Sequence, residues 1–184
     1  MKQTKVKDLM VPLKEYALVH EGSSLVDAVN ALEKAQNEYN KREYKHRAVL
    51  VYDDNKKIVG KLSQLDVIKS LEPKYKSFGN ITHMSLSGLS SDFIKSMVGK
   101  HNLWQEDLDS ICNRVAKKTV RDAMYRPSEG EKIEEDATLG DALHAFVIGH
   151  HQSLLVTRGE DIVGILRQTD MFKLVSDRIK ISKI

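Results

Sequence analysis

An α/β fold made of two copies of one small unit is what this sequence predicts, and three observations predict it. Short motifs recur in order. Val6-Lys7-Asp8-Leu9-Met10 returns as Val120-Arg121-Asp122-Ala123-Met124, Ser24-Leu25-Val26-Asp27-Ala28 as Thr138-Leu139-Gly140-Asp141-Ala142, and Ile58-Val59-Gly60-Lys61-Leu62 as Ile162-Val163-Gly164-Ile165-Leu166. Their spacing is kept: the first two pairs stand 114 residues apart (6 to 120, 24 to 138) and the third 104 (58 to 162), so one long insertion in the first copy explains most of the change. Each copy also reads as strand, helix, strand, turn, strand, helix. Such an internal repeat means one fold made twice and packed against itself, with clefts at the junction.

In the first copy, Tyr16-Ala17-Leu18-Val19 is a short extended run. Ser24 then opens a helix, with Asp27 at capping-box spacing, and Ala28, Leu32, Ala35 and Tyr39 form its buried stripe. Ala48 to Tyr52 is a strand, Asp53-Asp54-Asn55-Lys56 a turn, Ile58 to Leu62 a strand and Gln64 to Leu71 the closing helix. The second copy follows: Thr138 and Asp141 cap a helix carrying Leu139, Ala142, Leu143 and Phe146. Leu154 to Val156 and Ile162 to Leu166 are strands joined by a turn at 158–161. The last helix starts near Gln168, with Met171, Phe172, Leu174 and Val175 on its packed face. The first copy has nine extra residues around Asn37 to Lys45, which the stripe through Tyr39 assigns to a longer helix.

The domain boundaries expected are 1–72 for the first repeat, 73–118 for an insertion and 119–184 for the second repeat. Pro73 to Ser90 reads as irregular. Ser91 to Val98 is a short helix, and Trp104, Leu108, Ile111, Cys112 and Val115 fall on one face of another. Together they predict a helical hairpin with Trp104 as a core or interface anchor, its apolar face covered by the repeats or by a second subunit.

Composition narrows the function. The chain has 184 residues, 41% of them apolar, the profile of a globular protein. No apolar run approaches the roughly 20 residues of a membrane helix. Met1 to Lys5 leads into the first repeat without a signal-peptide core, so the expected location is the cytoplasm. Cys112 is the sole cysteine, which precludes an internal disulfide. The net charge of +3, from 29 basic and 26 acidic residues, does not announce nucleic-acid binding. No histidines stand at i, i+4 and no cysteine pair exists, so no metal site is expected. No nucleophile stands with a base and an orienting acid, and no phosphate-loop motif occurs, so the protein is not expected to be an enzyme.

The residues also carry a family resemblance. The Val-Lys-Asp-Leu-Met opening, the capped helix, the Ala48–Tyr52 strand and Ile-Val-Gly-Lys-Leu-Ser-Gln-Leu-Asp, with their second copies, resemble the CBS domain, a β-α-β-β-α module. The likeness covers about residues 3–72 and 118–182 and implies a tandem pair, or Bateman module. That in turn implies two repeats packed through their sheets with pseudo-two-fold symmetry, plus the inserted hairpin here. It implies clefts that take an adenosine nucleotide or other adenosyl compound (AMP, ADP, ATP or S-adenosylmethionine) as a regulatory ligand, with no required cofactor. It further implies a homodimer acting on a separate effector protein, without membrane or nucleic-acid partners. The family's ribose pattern, Gly-h-h-Thr/Ser-x-x-Asp, is met fully by Gly60 to Asp66; Gly164 to Asp170 keeps the acid but has Arg167 in place of the hydroxyl.

The chemistry fits those positions. A carboxylate has two acceptor oxygens and can hold both hydroxyls of a ribose, a role for Asp66 and Asp170, with Ser63 adding a hydroxyl. Tyr16, Ala17 and Leu18, and Lys132 and Ile133, offer extended backbone for an adenine edge. Arg167, Arg126, Lys132 and His151 are candidate phosphate contacts. Two other readings stay open. Ser63 and Asp66 are also a helix-capping pair, and Arg167 either binds an anion or pairs with an acid and closes its cleft. A scaffold with vestigial clefts, which dimerises or docks a partner, is the alternative function.

Overall fold

The computed structural model describes residues 4–38, 45–78 and 89–182. The continuation of the first helix through Tyr39 lies outside them. The strands are β1 (Val11–Pro12), β2 (Leu18–His20), β3 (Ala48–Tyr52), β4 (Ile58–Ser63), β5 (Lys132–Glu134), β6 (Ser153–Arg158) and β7 (Asp161–Arg167). The α-helices are α1 (Leu25–Glu38), α2 (Gln64–Ser70), α3 (Ser91–Lys100), α4 (Leu108–Ala116), α5 (Val120–Ala123), α6 (Leu139–Gly149) and α7 (Gln168–Ile181).

Each half is a β-α-β-β-α unit. In half one, α1 links β2 to the parallel β3, and β3 and β4 form an antiparallel hairpin. In half two, α6 links β5 to β6, and β6 and β7 form the hairpin. The helix starts read from the sequence hold: Ser24 Oγ accepts from Asp27 N at 3.1 Å and Thr138 Oγ1 from Asp141 N at 3.2 Å. Each carboxylate answers its cap residue's backbone N–H, which closes the capping box.

The apolar strands are buried on both faces, which is why they read as continuous rather than alternating. Val49 and Val51 face a core with Leu25, Ala28 and Leu32 of α1; Leu154 and Val156 face one with Leu139, Ala142 and Phe146 of α6. Between them, Leu50 and Leu155 point the other way and meet Val11, Tyr16 and Ile165 in a third core, where the two sheets pack together.

The openings of the two repeats are exchanged. Val6 is buried in the half-two core and Val120 in the half-one core. Val6 N donates to Ala137 O at 3.0 Å, and Val120 N donates to Ser23 O at 2.9 Å. Next along the chain, β1 adds to β7 by pairing Val11 with Ile165, and Tyr125 pairs with Lys61 of β4. The crossing gives the repeat's glycine its purpose. A Cβ on Gly164 would lie 2.6 Å from Val11 O, and one on Gly60 would lie 2.9 Å from Tyr125 O. Only glycine lets the other half's backbone approach so closely.

Among its described residues the insertion shows the two α-helices expected, α3 and α4, with three corrections. The stretch after Pro73, read as irregular, begins with a 3-10 helix, Pro73–Phe78. Trp104 is not on the second helix, which starts at Leu108 under an Asp107 cap. It lies in a turn with φ of 58° and is 39% exposed, because that turn buries Leu103 instead. Cys112 is exposed, while Ile111 and Val115 of the same helix join the half-one core. Phe172 also departs from its expected packed face and is exposed; Met171 takes the buried place on α7.

Candidate functional site

The ends of β4 and β7 are where the repeat places its acidic residues. At the end of β4, Ser63 caps α2: Asp66 N donates to Ser63 Oγ at 3.2 Å, and Asp66 Oδ2 accepts from Ser63 N at 2.9 Å and Ser63 Oγ at 2.5 Å. Both bonds to the carboxylate use the same oxygen, Oδ2. Among the described residues, Oδ1 of the half-buried Asp66 accepts no hydrogen bond. Asp66 lies near enough to Tyr125 for its charge to be felt by the phenol.

At the end of β7 the chemistry differs. Arg167 Nε and Nη2 donate to Asp170 Oδ2 and Oδ1, both at 2.6 Å, and both side chains are about 5% exposed. This bidentate fork gives each Asp170 oxygen a buried guanidinium donor, so a ribose there has to share both oxygens with Arg167. Of the two readings of Arg167, the structure therefore holds the one in which it pairs with an acid.

The remaining expected residues are dispersed. Tyr16 is buried in the inter-sheet core with its ring 4.3 Å from that of His46. Ala17 O accepts from Leu50 N at 2.9 Å, and Leu18 is exposed on the edge strand β2. Lys132 and Ile133 line a groove of about 540 Å³ between the halves, with Ile58 and Val59 on one wall and Leu155, Thr157 and Ile162 on the other. This groove sits at the opposite end of β4 from Ser63, five residues or about 16 Å of extended chain away. It is also rimmed by Glu129, Glu134 and Glu160.

Three of the cations proposed for phosphate are already paired. Lys132 Nζ stands 2.7 Å from Glu129, Arg167 is held by Asp170, and Arg126 is 3.9 Å from Glu21, which also binds Arg121 at 2.6 Å. Among the described residues no cluster is suited to a metal ion.

Three residues that the sequence reading did not place in the site, Lys61, Tyr125 and Glu131, complete the junction. Lys61 Nζ is 2.7 Å from Glu131 Oε2, their side chains 14% and 4% exposed. The Tyr125 hydroxyl donates to Glu131 Oε1, and Lys61 Nζ lies 5.3 Å from the Tyr125 ring centroid. Burial pushes the Tyr125 phenol up, and the hydrogen bond to Glu131 pushes it further, to about 12. Burial also opposes the charge on Glu131, but hydrogen bonds from Lys61 and Tyr125 outweigh it and hold the carboxyl below its usual range. Lys61 and Glu131 are 70 positions apart in sequence, and the packing of one half against the other brings them together.

Two β-α-β-β-α halves packed through their sheets define a tandem-repeat module. A model of the CBS domain matches residues 6–73 and 120–177, and the chain belongs to the CBS-domain family. Its fold is shared by solved structures of low sequence identity. A CBS domain-containing protein from Bacillus anthracis is 18% identical, with 95% of this chain and 94% of that one covered and a TM-score of 0.63. The CBS domain of a membrane protein from Sphaerobacter thermophilus is 16% identical, over 94% and 88%, with a TM-score of 0.60. CBSX2, crystallised in complex with AMP, is 18% identical, over 96% and 98%, with a TM-score of 0.58. No curated protein matches the chain in sequence. Among the described residues no helix is long and apolar enough to cross a membrane.

Proposed function

We propose that this chain is a ligand-sensing regulatory module that binds an adenosine nucleotide or related adenosyl compound at the junction of its halves and acts on a separate protein. One site per chain does the binding, at Asp66. The observation that carries this reading is the asymmetry of the two acidic residues. Asp170 has both oxygens bound by Arg167, whereas Asp66 caps α2 through Oδ2 and keeps Oδ1 for a ribose hydroxyl. The 42% exposed Tyr125, contributed by the other half, offers a ring on which the base stacks. The complex of CBSX2 with AMP supports the ligand class. Tyr125 belongs to the exchanged opening of the second repeat, which docks on half one, so a ligand touching both Asp66 and Tyr125 favours that docked arrangement, which is the differential affinity that a sensor requires.

Calorimetry with AMP, ADP, ATP, NAD and S-adenosylmethionine tests this. At least one should bind with a stoichiometry of one, and at 100 times its Kd should stabilise the fold by roughly 2.7 kcal/mol. Asp66→Asn, which retains an oxygen for the cap, should weaken binding about tenfold or more by removing a charged acceptor. Silence across the panel, or equal binding by Asp66→Asn, sinks the proposal.

A second reading rests on exposed apolar side chains: Leu65 and Ile68 of α2, Phe172 and Ile179 of α7, and Phe93 and Ile94 of α3. In this reading the module is a dimerisation or docking surface. A single-chain mass in sedimentation at high protein concentration, in wild type and after deletion of 73–118, counts against its dimer form.

A further inference from the structure

The repeat pattern does not call for charge where Lys61 and Glu131 meet, since the second copy has Ile165 at the place of Lys61. Yet Glu131 collects three donors there. They are the Lys61 ammonium at 2.7 Å, the Tyr125 hydroxyl and, more weakly, the Ser128 backbone N–H at 3.3 Å. The Lys61 ammonium also stands 3.5 Å from Ser153 Oγ of β6. An ammonium, a phenol and a backbone N–H converging on one pair of oxygens is a donor set that also suits a phosphate. It lies on β4 two residues before Ser63, on the side of the junction where Asp66 adjoins Tyr125.

We infer that Glu131 is a built-in anion occupying a phosphate subsite made by Lys61, Tyr125 and the Ser128 N–H. The junction as it stands therefore accepts the adenosine part of a ligand without rewarding its phosphate. This rests on the adenosyl reading of Asp66 and goes further, because it names the residue that selects among adenosyl ligands. A phosphate brought to Lys61 meets the Glu131 carboxylate first and is repelled. Displacing Glu131 means moving the turn Glu129–Glu131, which leads directly into β5.

The test uses inorganic pyrophosphate in thermal unfolding, and adenosine and AMP in calorimetry. The chains compared are wild type, Glu131→Gln, Glu131→Ala and the double variant Lys61→Met with Glu131→Gln. Wild type should bind adenosine and AMP within about threefold of each other, less than the tenfold of 1.4 kcal/mol, and pyrophosphate should leave its Tm unchanged. Glu131→Gln, and Glu131→Ala which also vacates the space, should favour AMP by about tenfold or more, the worth of one charge-assisted bond, and gain Tm with pyrophosphate. The double variant carries neither charge and should lose both gains. Wild type favouring AMP tenfold, or both single variants ignoring phosphate and pyrophosphate, overturns the inference. A pyrophosphate response in Glu131→Ala with no adenosine binding by any chain keeps the subsite and removes the adenosyl reading. Adenosine binding with no phosphate gain in either single variant does the reverse.

Discussion

At the end of β4, Ser63 caps α2 and Asp66 keeps one oxygen without a hydrogen bond among the described residues; at the end of β7, Arg167 takes the place of Ser63 and donates to both oxygens of Asp170. The difference extends inward. Tyr125 pairs with Lys61 in half one, where Val11 pairs with Ile165 in half two. One backbone plan thus carries a polar, partly open junction on one side and a closed one on the other. Duplication fixes the frame, and a few substitutions on it decide which side can meet a ligand.

The comparison breaks most visibly if the two acids are equivalent. Asp170→Ala leaves the nearly buried Arg167 without its carboxylate, a change that costs about 3–5 kcal/mol. Asp66→Ala removes a capping partner from an accessible helix start, which costs about 1 kcal/mol. Urea unfolding of the two variants at constant m should show this gap, and equal midpoints would refute the asymmetry. Arg167→Ser sharpens it: the second copy regains the full Ser-x-x-Asp ending, and the calorimetric stoichiometry should rise from one towards two.

A smaller effect tests the exchanged openings. Gly164→Ala brings a Cβ to 2.6 Å from a backbone oxygen, whereas in Gly60→Ala the nearest atom is the Met124 Sδ at 2.8 Å, at the flexible end of a side chain, with Tyr125 O at 2.9 Å. Overpacking of this kind costs about 1–3 kcal/mol, and the backbone-limited Gly164 should sit at the upper end. If both alanine variants unfold with wild-type midpoints, the openings do not cross as described.

Much of this frame was legible in the sequence because its signals are local. The capping boxes at Ser24, Ser63 and Thr138 span only four residues each, and the β3 and β6 runs declare burial by composition. What stayed hidden depends on distance. The repeat shows that Val6 and Val120 are equivalent, but not that each packs in the other's half. Glu131 carries no local signal, because its partner Lys61 is 70 residues away. Arg167 was recognised as a departure; its pairing with Asp170 is decided by rotamer and burial, which no motif encodes. Trp104 misled because helical spacing continued across a turn whose positive φ breaks the helix.

The finest test of the asymmetry is the titration of Tyr125, for half two has Val11 in its place. Its folded value, about 12, lies above the ordinary 10 of a phenol. A raised pKa means that the folded state favours the protonated form. Its contribution to stability is therefore complete below pH 10 and is lost as the pH climbs from about 10 through about 12. Ultraviolet difference titration against Tyr125→Phe should show one late phenolate in wild type. Glu131→Gln keeps the burial but removes the carboxylate, so the same phenol should ionise earlier while remaining above an exposed tyrosine. A Tyr125 that titrates with the exposed tyrosines in wild type would mean that Glu131 does not hold its hydroxyl. The network that distinguishes half one would then reduce to a simple Lys61–Glu131 pair.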